Sequence, residues 1–224
     1  MIISKYGIEL REIEREDLEM IRQYRNSSSI KENMIFKETI SRADQKKWFE
    51  KVRNSVNCAY YLIYKDEIAM GLINGMNINH KDKSSEGGIF VWHKEANYST
   101  TILASIILND WNFFFNGFEC NYAQVLRKNK QAIAYNEFMG YKISIRKHDN
   151  PKALWMEQSK AAYFKFRRKV QSLGLVDFDI SSHIGPDDLS IEDHEVEHKK
   201  KIIAKLPKKQ QKLYEDLLSL IGKL

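Results

Sequence analysis

Two cysteines, three prolines and ten glycines are all that the 224 residues contain. Two thiols, Cys58 and Cys120, cannot build a disulfide framework or a four-cysteine zinc site, and the strand-like aromatic sequence after each favours buried thiols over nucleophiles. So little glycine and proline excludes a collagen-like or low-complexity chain. Long apolar runs are missing as well. The richest stretch, Ile102 to Phe118, is broken by Ser105, Asn109, Asp110 and Asn112 and is too short for a bilayer core, so it reads as a buried helix. Polar residues scattered through the first thirty positions leave no secretory leader pattern, and a cytoplasmic location is expected. Apolar residues, 43% of the chain, suffice for a packed core, and the length suits one domain plus an extension. The formal charge of +6 favours anionic ligands such as phosphorylated cofactors without by itself indicating nucleic acid.

Periodicity supplies the element order. Gly7 to Ile13 alternates apolar and charged residues as a half-buried strand does, and Glu16 to Arg25 then places Leu18, Ile21 and Tyr24 at helical spacing. Ser41 to Val52 is a second helix, with Ser41 as N-cap and Trp48, Phe49 and Val52 as its stripe. Three β-like runs follow, Ala59 to Tyr64, Ile68 to Met76 and Gly88 to Trp92, reading as an antiparallel meander. Thr101 to Phe115 is apolar on nearly every face, a covered helix that Gly117 stops. Cys120 to Leu126 is a strand, Lys130 to Met139 a helix ended by Gly140, and Tyr141 to Arg146 and Ala153 to Gln158 are two strands around a turn at Asp149, Asn150 and Pro151. The expected fold is α/β: a mixed, mainly antiparallel central sheet of about seven strands with helices on both faces, from residue 1 to 174, plus a charged C-terminal helical extension from 175 to 224.

The most specific segment runs from Arg127 to Tyr141. Asn129, Ala132, Tyr135, Gly140 and Tyr141 fit in turn the Asn, the small residue three later, the Tyr six later and the closing Gly-aromatic pair of the GNAT superfamily of N-acetyltransferases, which the chain resembles from about Ile8 to Gln158. Leu10-Arg11, Arg25-Asn26 and Lys47-Trp48-Phe49 resemble members acting on amino sugars or protein N-termini, and Glu86 to Trp92 resembles the family's fourth strand. The resemblance implies an acetyltransferase whose fourth and fifth strands splay to admit the pantetheine arm of acetyl-CoA. It puts an oxyanion-stabilising amide at Val91 or its neighbours Phe90 and Trp92, the general acid at Tyr135, and the base at Glu86 or His93. Where relatives carry a glycine-rich pyrophosphate turn, this chain has Ala96-Asn97-Tyr98-Ser99-Thr100-Thr101. There the hydroxyls of Ser99, Thr100 and Thr101 are expected to supplement the amides of the helix start. The implied acceptor is a small primary amine, for preference that of a nucleotide-linked amino sugar, with a protein N-terminus or a non-catalytic GNAT-shaped scaffold as alternatives.

Plainer readings stand beside these. Tyr135 on a helix with Ile133, Phe138 and Met139 could be a core residue, Asn129 simply an N-cap, Glu86 an exposed loop carboxylate, Lys128 and Lys130 solvated charges, and Trp48 and Trp92 core. The basic run Lys165, Arg167, Arg168 and Lys169 reads as the solvated face of a helix rather than an RNA surface. In the extension, six acidic residues between Asp187 and Glu197 give way to seven lysines between Lys199 and Lys212. The string His194 to His198 matches the H-E-x-x-H zinc pattern, but without a third histidine it is expected to be a charged helix face, and no metal is assigned. The last helix can align Leu206, Leu213, Leu217, Leu220, Ile221 and Leu224, and should dock on the domain, on a second copy as a homodimer, or on a partner.

Overall fold

The computed structural model describes residues 1–223, and Leu224 of the expected stripe lies outside them. The chain runs β1 (Ile2–Lys5), β2 (Ile8–Glu12), α1 (Leu18–Asn26), a single-turn α2 (Ser28–Lys31), α3 (Arg42–Arg53), β3 (Ala59–Lys65), β4 (Ile68–Asn79), β5 (Ser84–Val91) and α4 (Tyr98–Asp110). After a π-helical turn at Trp111–Phe115 come β6 (Cys120–Leu126), α5 (Lys130–Phe138), β7 (Lys142–Ile143), β8 (Ala153–Ser159), α6 (Lys160–Leu173), β9 (Leu189–Ser190), α7 (Asp193–Ile203) and α8 (Lys208–Leu220). Among the described residues nine strands form one sheet in the order β7-β8-β6-β5-β4-β3-β2-β1-β9. Every neighbouring pair is antiparallel except β5 and β6, which are parallel because α4 carries the chain back between them.

Seven strands are those that alternation predicts. β1 and β9 are additional, being too short to show a period of their own. β5 starts four residues before Gly88, through Ser84, Ser85, Glu86 and Gly87, whose small and polar side chains hide a strand from a hydropathy reading. β7 shrinks to Lys142–Ile143, and Ile145 is fully exposed.

One sheet face carries α1 and α3, with Leu18, Ile21 and Phe49 packed on Leu62 and Leu72. The opposite face carries α4, α6 and α8, where Ile102, Ile106, Phe166 and Leu217 meet Tyr61, Ile63 and Ile73. Asn116 N–H reaches the Trp111 carbonyl at 2.9 Å across the π turn, and the Trp111 and Phe115 rings stack at 4.1 Å.

The extension docks on the domain, the first of its expected places. β9 pairs with β1 through Ile2–Ser190 and Ile3–Leu189, Arg53 bonds Glu195 at 2.7 Å, and Tyr214 donates to Asn116 at 2.9 Å. Lys199 and the N-terminal ammonium converge on Glu12. Burial alone would raise the Glu12 carboxyl, but these two cations outweigh it and hold it at about 2. The buried stripe of α8 is rotated from the expected one: Leu217 and Leu218 are inside, Tyr214 and Ile221 pack beside them, and Leu220 is 70% exposed. Spacings of three and four from Tyr214 select that face.

Arg167 corrects a second expectation. It is no solvated base: it is buried, donates to the carbonyls of Ile180 and Ser182 and to the Tyr6 hydroxyl, and faces Asp110 at 3.4 Å. Asp110 also accepts from Tyr163 at 2.5 Å. Burial pushes the Asp110 carboxyl up to about 6 against the pull of Arg167.

Candidate active site

The site starts from a fork. β5 and β6 pair only at Ser84–Cys120, Ser85–Asn121 and Glu86–Tyr122; beyond that, Gly87 to Val91 bond to β4 alone while Ala123 to Leu126 bond to β8. The closed end is locked by side chains. Ser85 donates to Asn121 at 2.7 Å, Asn121 to Asn109 at 2.8 Å, and Asn112 to Ser85 at 3.3 Å, all buried. The open end begins at bare residues: a methyl group on Gly87 would stand 3.9 Å from the Asn74 carbonyl, the Tyr122 carbonyl and the Tyr141 hydroxyl. A wedge therefore opens where side chains stop bridging the strands.

Backbone alternation decides which amides face it. Trp92 N–H bonds the Met70 carbonyl at 3.0 Å, which makes Gly71–Val91 a pair without mutual hydrogen bonds and turns the Val91 and Ile89 amides away from β4, toward the wedge. Phe90 and Trp92 face the other way. Their amides serve β4, and their rings join the α1 and α3 face, where Trp92 stacks on Tyr24 at 4.6 Å and donates its ring N–H to Ala69. Of the three candidate oxyanion positions, Val91 is the one that offers its amide to the wedge.

Glu86 stands at the fork and is 5% exposed, so it is no loop carboxylate. A bulge between Met76 and Asn79 puts Asn77 in the left-handed region, φ 49°, which Asn tolerates, and its amide donates to Glu86 Oε2 at 2.8 Å. Gln124 donates to Glu86 Oε1 at 2.6 Å, and His148 Nε2 lies 2.7 Å from Gln124 Oε1. Each carboxylate oxygen keeps lone pairs free for a ligand. Asn74, opposite Gly88 on this face, holds its Nδ2 buried without a partner, as does Arg25 its Nη1. Arg25 and Asn26 also pin the loop before α3, bonding the carbonyls of Phe36 and Ile40. His93 instead accepts from Glu95 N–H at 3.3 Å. Asn77, Gln124 and His148 escaped the sequence reading. The polar pair Tyr122 and Gln124, alternating with Asn121, Ala123 and Val125 on β6, was the available signal, and His148 on a loop gave none.

At the head of α4, Asn97 caps the helix: its Oδ1 accepts from Thr100 N–H at 2.9 Å and from the Thr100 hydroxyl at 3.0 Å, while the Thr101 hydroxyl donates to the Asn97 carbonyl at 3.1 Å. The hydroxyls of Thr100 and Thr101 are thus spent inside the turn. Tyr98 is 59% exposed, and its amide, the Ser99 amide and the Ser99 hydroxyl are left to face an anion at the positive helix end. The open wedge and these donors fit a pantetheine arm and a pyrophosphate.

Tyr135 on α5 reaches across to α4. Its hydroxyl donates to the Thr101 carbonyl at 3.1 Å and shares a 2.8 Å bond with Ser105, and burial pushes the phenol well above its ordinary value, so it is protonated at neutral pH. Burial raises Tyr141 likewise. Asn129 caps α5 through Ala132 N–H at 3.0 Å, and Lys128 and Lys130 are exposed.

The H-E-x-x-H string comes apart. Glu195 is occupied by Arg53, His198 Nε2 bonds the Arg53 carbonyl at 3.0 Å, and His194 lies 3.3 Å from Glu192, 3.7 Å from Glu195 and 3.8 Å from Glu14. Glu14, His194 and Glu195 do cluster, but the Arg53 guanidinium already neutralises the shared oxygen of Glu195.

The forked sheet, with a buried carboxylate where its strands part, defines a class. Residues 10–153 match the acetyltransferase (GNAT) domain model, and the chain belongs to that family of acetyltransferases, whose cosubstrate is acetyl-CoA. Among solved structures, the spermidine N-acetyltransferase of Vibrio cholerae, in complex with CoA and spermine, is similar with a TM-score of 0.61 at 18% identity, covering 71% of this chain and 99% of that one. The apo form of FdhC, a nucleotide-linked sugar GNAT, is similar with a TM-score of 0.63 at 17% identity, covering 75% and 96%. At these identities the likeness is one of fold. No curated protein matches the sequence. Among the described residues no helix is long and apolar enough to cross a membrane.

Proposed function

We propose that the protein transfers an acetyl group to the primary amine of a nucleotide-linked amino sugar, with residues 1–174 as the catalytic unit. The fork supports this reading: the Val91 amide and the Glu86 carboxylate lie at it, and the Tyr135 phenol is bonded to the helix that leaves its open end. Acetyl-CoA, when bound, supplies the activated acyl group. The Val91 N–H then stabilises negative charge developing on a carbonyl oxygen in the wedge. Glu86 holds the acceptor ammonium and takes its proton, with Asn77 and Gln124 keeping the carboxylate aimed. Tyr135, released from Thr101, gives its proton to the departing sulfur, and Ser105 stays as the donor that steadies the phenol oxygen.

Two features favour a hydroxylated acceptor over a polycation. The groups bonded to Glu86 are the Asn77 and Gln124 amides, the second backed by the His148 imidazole, with no further carboxylate among them, and Asn74 Nδ2 and Arg25 Nη1 are donors in want of acceptor oxygens. The test is thiol release from acetyl-CoA with UDP- and dTDP-linked amino sugars, spermidine and short peptides. Turnover on an amino sugar, lost in Tyr135→Phe with acetyl-CoA affinity retained, is expected. Absence of turnover on the whole panel, with no rise in Tm at millimolar acetyl-CoA, would favour the scaffold instead.

A further inference from the structure

We infer that Gln124 and His148 form a one-way positioning chain that aims Glu86, and that the loop from Ser144 to Asn150 is thereby a wall of the acceptor site; this rests on the role of Glu86 proposed above. The direction of the chain is fixed by a backbone group. Asn150 N–H lies 2.9 Å from His148 Nδ1, and a peptide N–H can only donate, so Nδ1 is the acceptor and the imidazole carries its proton on Nε2. His148 Nε2–H therefore donates to Gln124 Oε1, at 2.7 Å. That bond fixes the Gln124 amide with its NH2 toward Glu86 Oε1, at 2.6 Å. Gln124 in the flipped orientation would set its oxygen against a carboxylate oxygen and its NH2 against an N–H donor, so the imidazole proton excludes the inactive rotamer.

The rest of the loop is built to hold His148 there. The ring lies 5.5 Å from Trp155 of β8, and Arg146 covers the Tyr122 ring at 3.8 Å while donating to its hydroxyl at 3.0 Å. Ser144 is tied to Glu157 at 2.6 Å. Tyr122 and Gln124 are alternate residues of β6 and so share the face that Glu86 addresses, which brings the loop against the mouth of the fork. An amide cannot pass a proton along without tautomerising, so the chain orients Glu86 and does not drain it.

The experiment compares Gln124→Leu, His148→Ala and His148→Gln with the parent and with Glu86→Gln, using the amino sugar or amine that turns over fastest in the panel. His148→Ala and Gln124→Leu should each lower kcat by about 5- to 30-fold, leave the KM for acetyl-CoA and the Tm near parental, and add nothing in a Glu86→Gln background. His148→Gln, which keeps a donor, should recover part of the loss. Parental kcat in both single variants, or losses that multiply with Glu86→Gln, would overturn the inference while leaving Glu86 in place. Parental kcat in Glu86→Gln would remove the reading beneath it as well. A second readout needs no acceptor: 15N shifts of the His148 ring at pH 8 should show protonated Nε2 and bare Nδ1, and an even mixture of tautomers would refute the chain.

Discussion

Among the described residues three carboxylates are buried, and two of them, Glu86 at 5% exposure and Asp110 at 0%, have opposite surroundings. Asp110 meets a guanidinium and a phenol and lies at the seam that fastens the segment Ile180 to Ile184 against α4 and α6. Glu86 meets two neutral amides and an opening. A buried carboxylate answered by a cation is spent on holding the fold. One answered by neutral amides has no cation committed to it, and a cationic ligand entering the fork finds it available.

The contrast breaks most visibly at Glu86. Glu86→Gln should lower turnover by about 10²- to 10⁴-fold, the range of a lost acid–base group, while the Tm moves little because the Asn77 amide can turn to accept. A variant that melts early with normal turnover per folded molecule would make Glu86 a structural residue like Asp110. The mirror experiment is Arg167→Met, which strands Asp110 in the core and should cost about 3–5 kcal/mol, read in denaturant unfolding, with kcat unchanged. An unfolding curve superimposable on the parent's would show that the seam is not fastened by this pair.

Acidity separates the seam from the extension's other anchor. Asp110, raised above its ordinary value of 3.8 to about 6, contributes stability that is full below 3.8 and is lost as pH rises through 6. Glu12, lowered from 4.5 to about 2, contributes stability that is full above 4.5 and is lost as pH falls through 2. The parent should therefore gain on Asp110→Asn between pH 7 and pH 4, by on the order of 2 kcal/mol. A flat difference across that interval would mean the Asp110 pKa is not raised. The smallest effect is at the cofactor end. Asn97→Gly costs only a few tenths of a kcal/mol as a cap but frees the Thr100 N–H, so the Kd for acetyl-CoA should tighten about two- to five-fold by calorimetry. Weaker binding would show that the capped turn, not the amide count, is what the anion needs.

Legibility in the sequence followed the range of the interactions. Ser41, Cys120 to Leu126, Asn129 and Gly140 were readable because caps, alternation and left-handed stops are settled within a few residues; Ser41 indeed accepts from Asp44 N–H, and Gly140 has φ 92°. Tyr135 was readable from spacing, but its engagement with Thr101 and Ser105 was not, since that depends on how α5 crosses α4. Glu86 reads from the sequence as a candidate base or an exposed loop carboxylate, and the structure buries it. Its burial comes from a bulge nine residues upstream, a strand beyond the crossover helix and a loop further on still. Arg167 failed for the same reason: helical spacing placed it among lysines, and only the returning segment Ile180 to Ser182 draws it inward.

The knot of Ser85, Asn121, Asn109 and Asn112 beneath the fork has one more consequence. Unzipping β5 from β6 by another residue would break hydrogen bonds among buried side chains, so the depth of the opening belongs to the scaffold and not to its occupant. The protein carries a fixed gauge rather than a hand that closes.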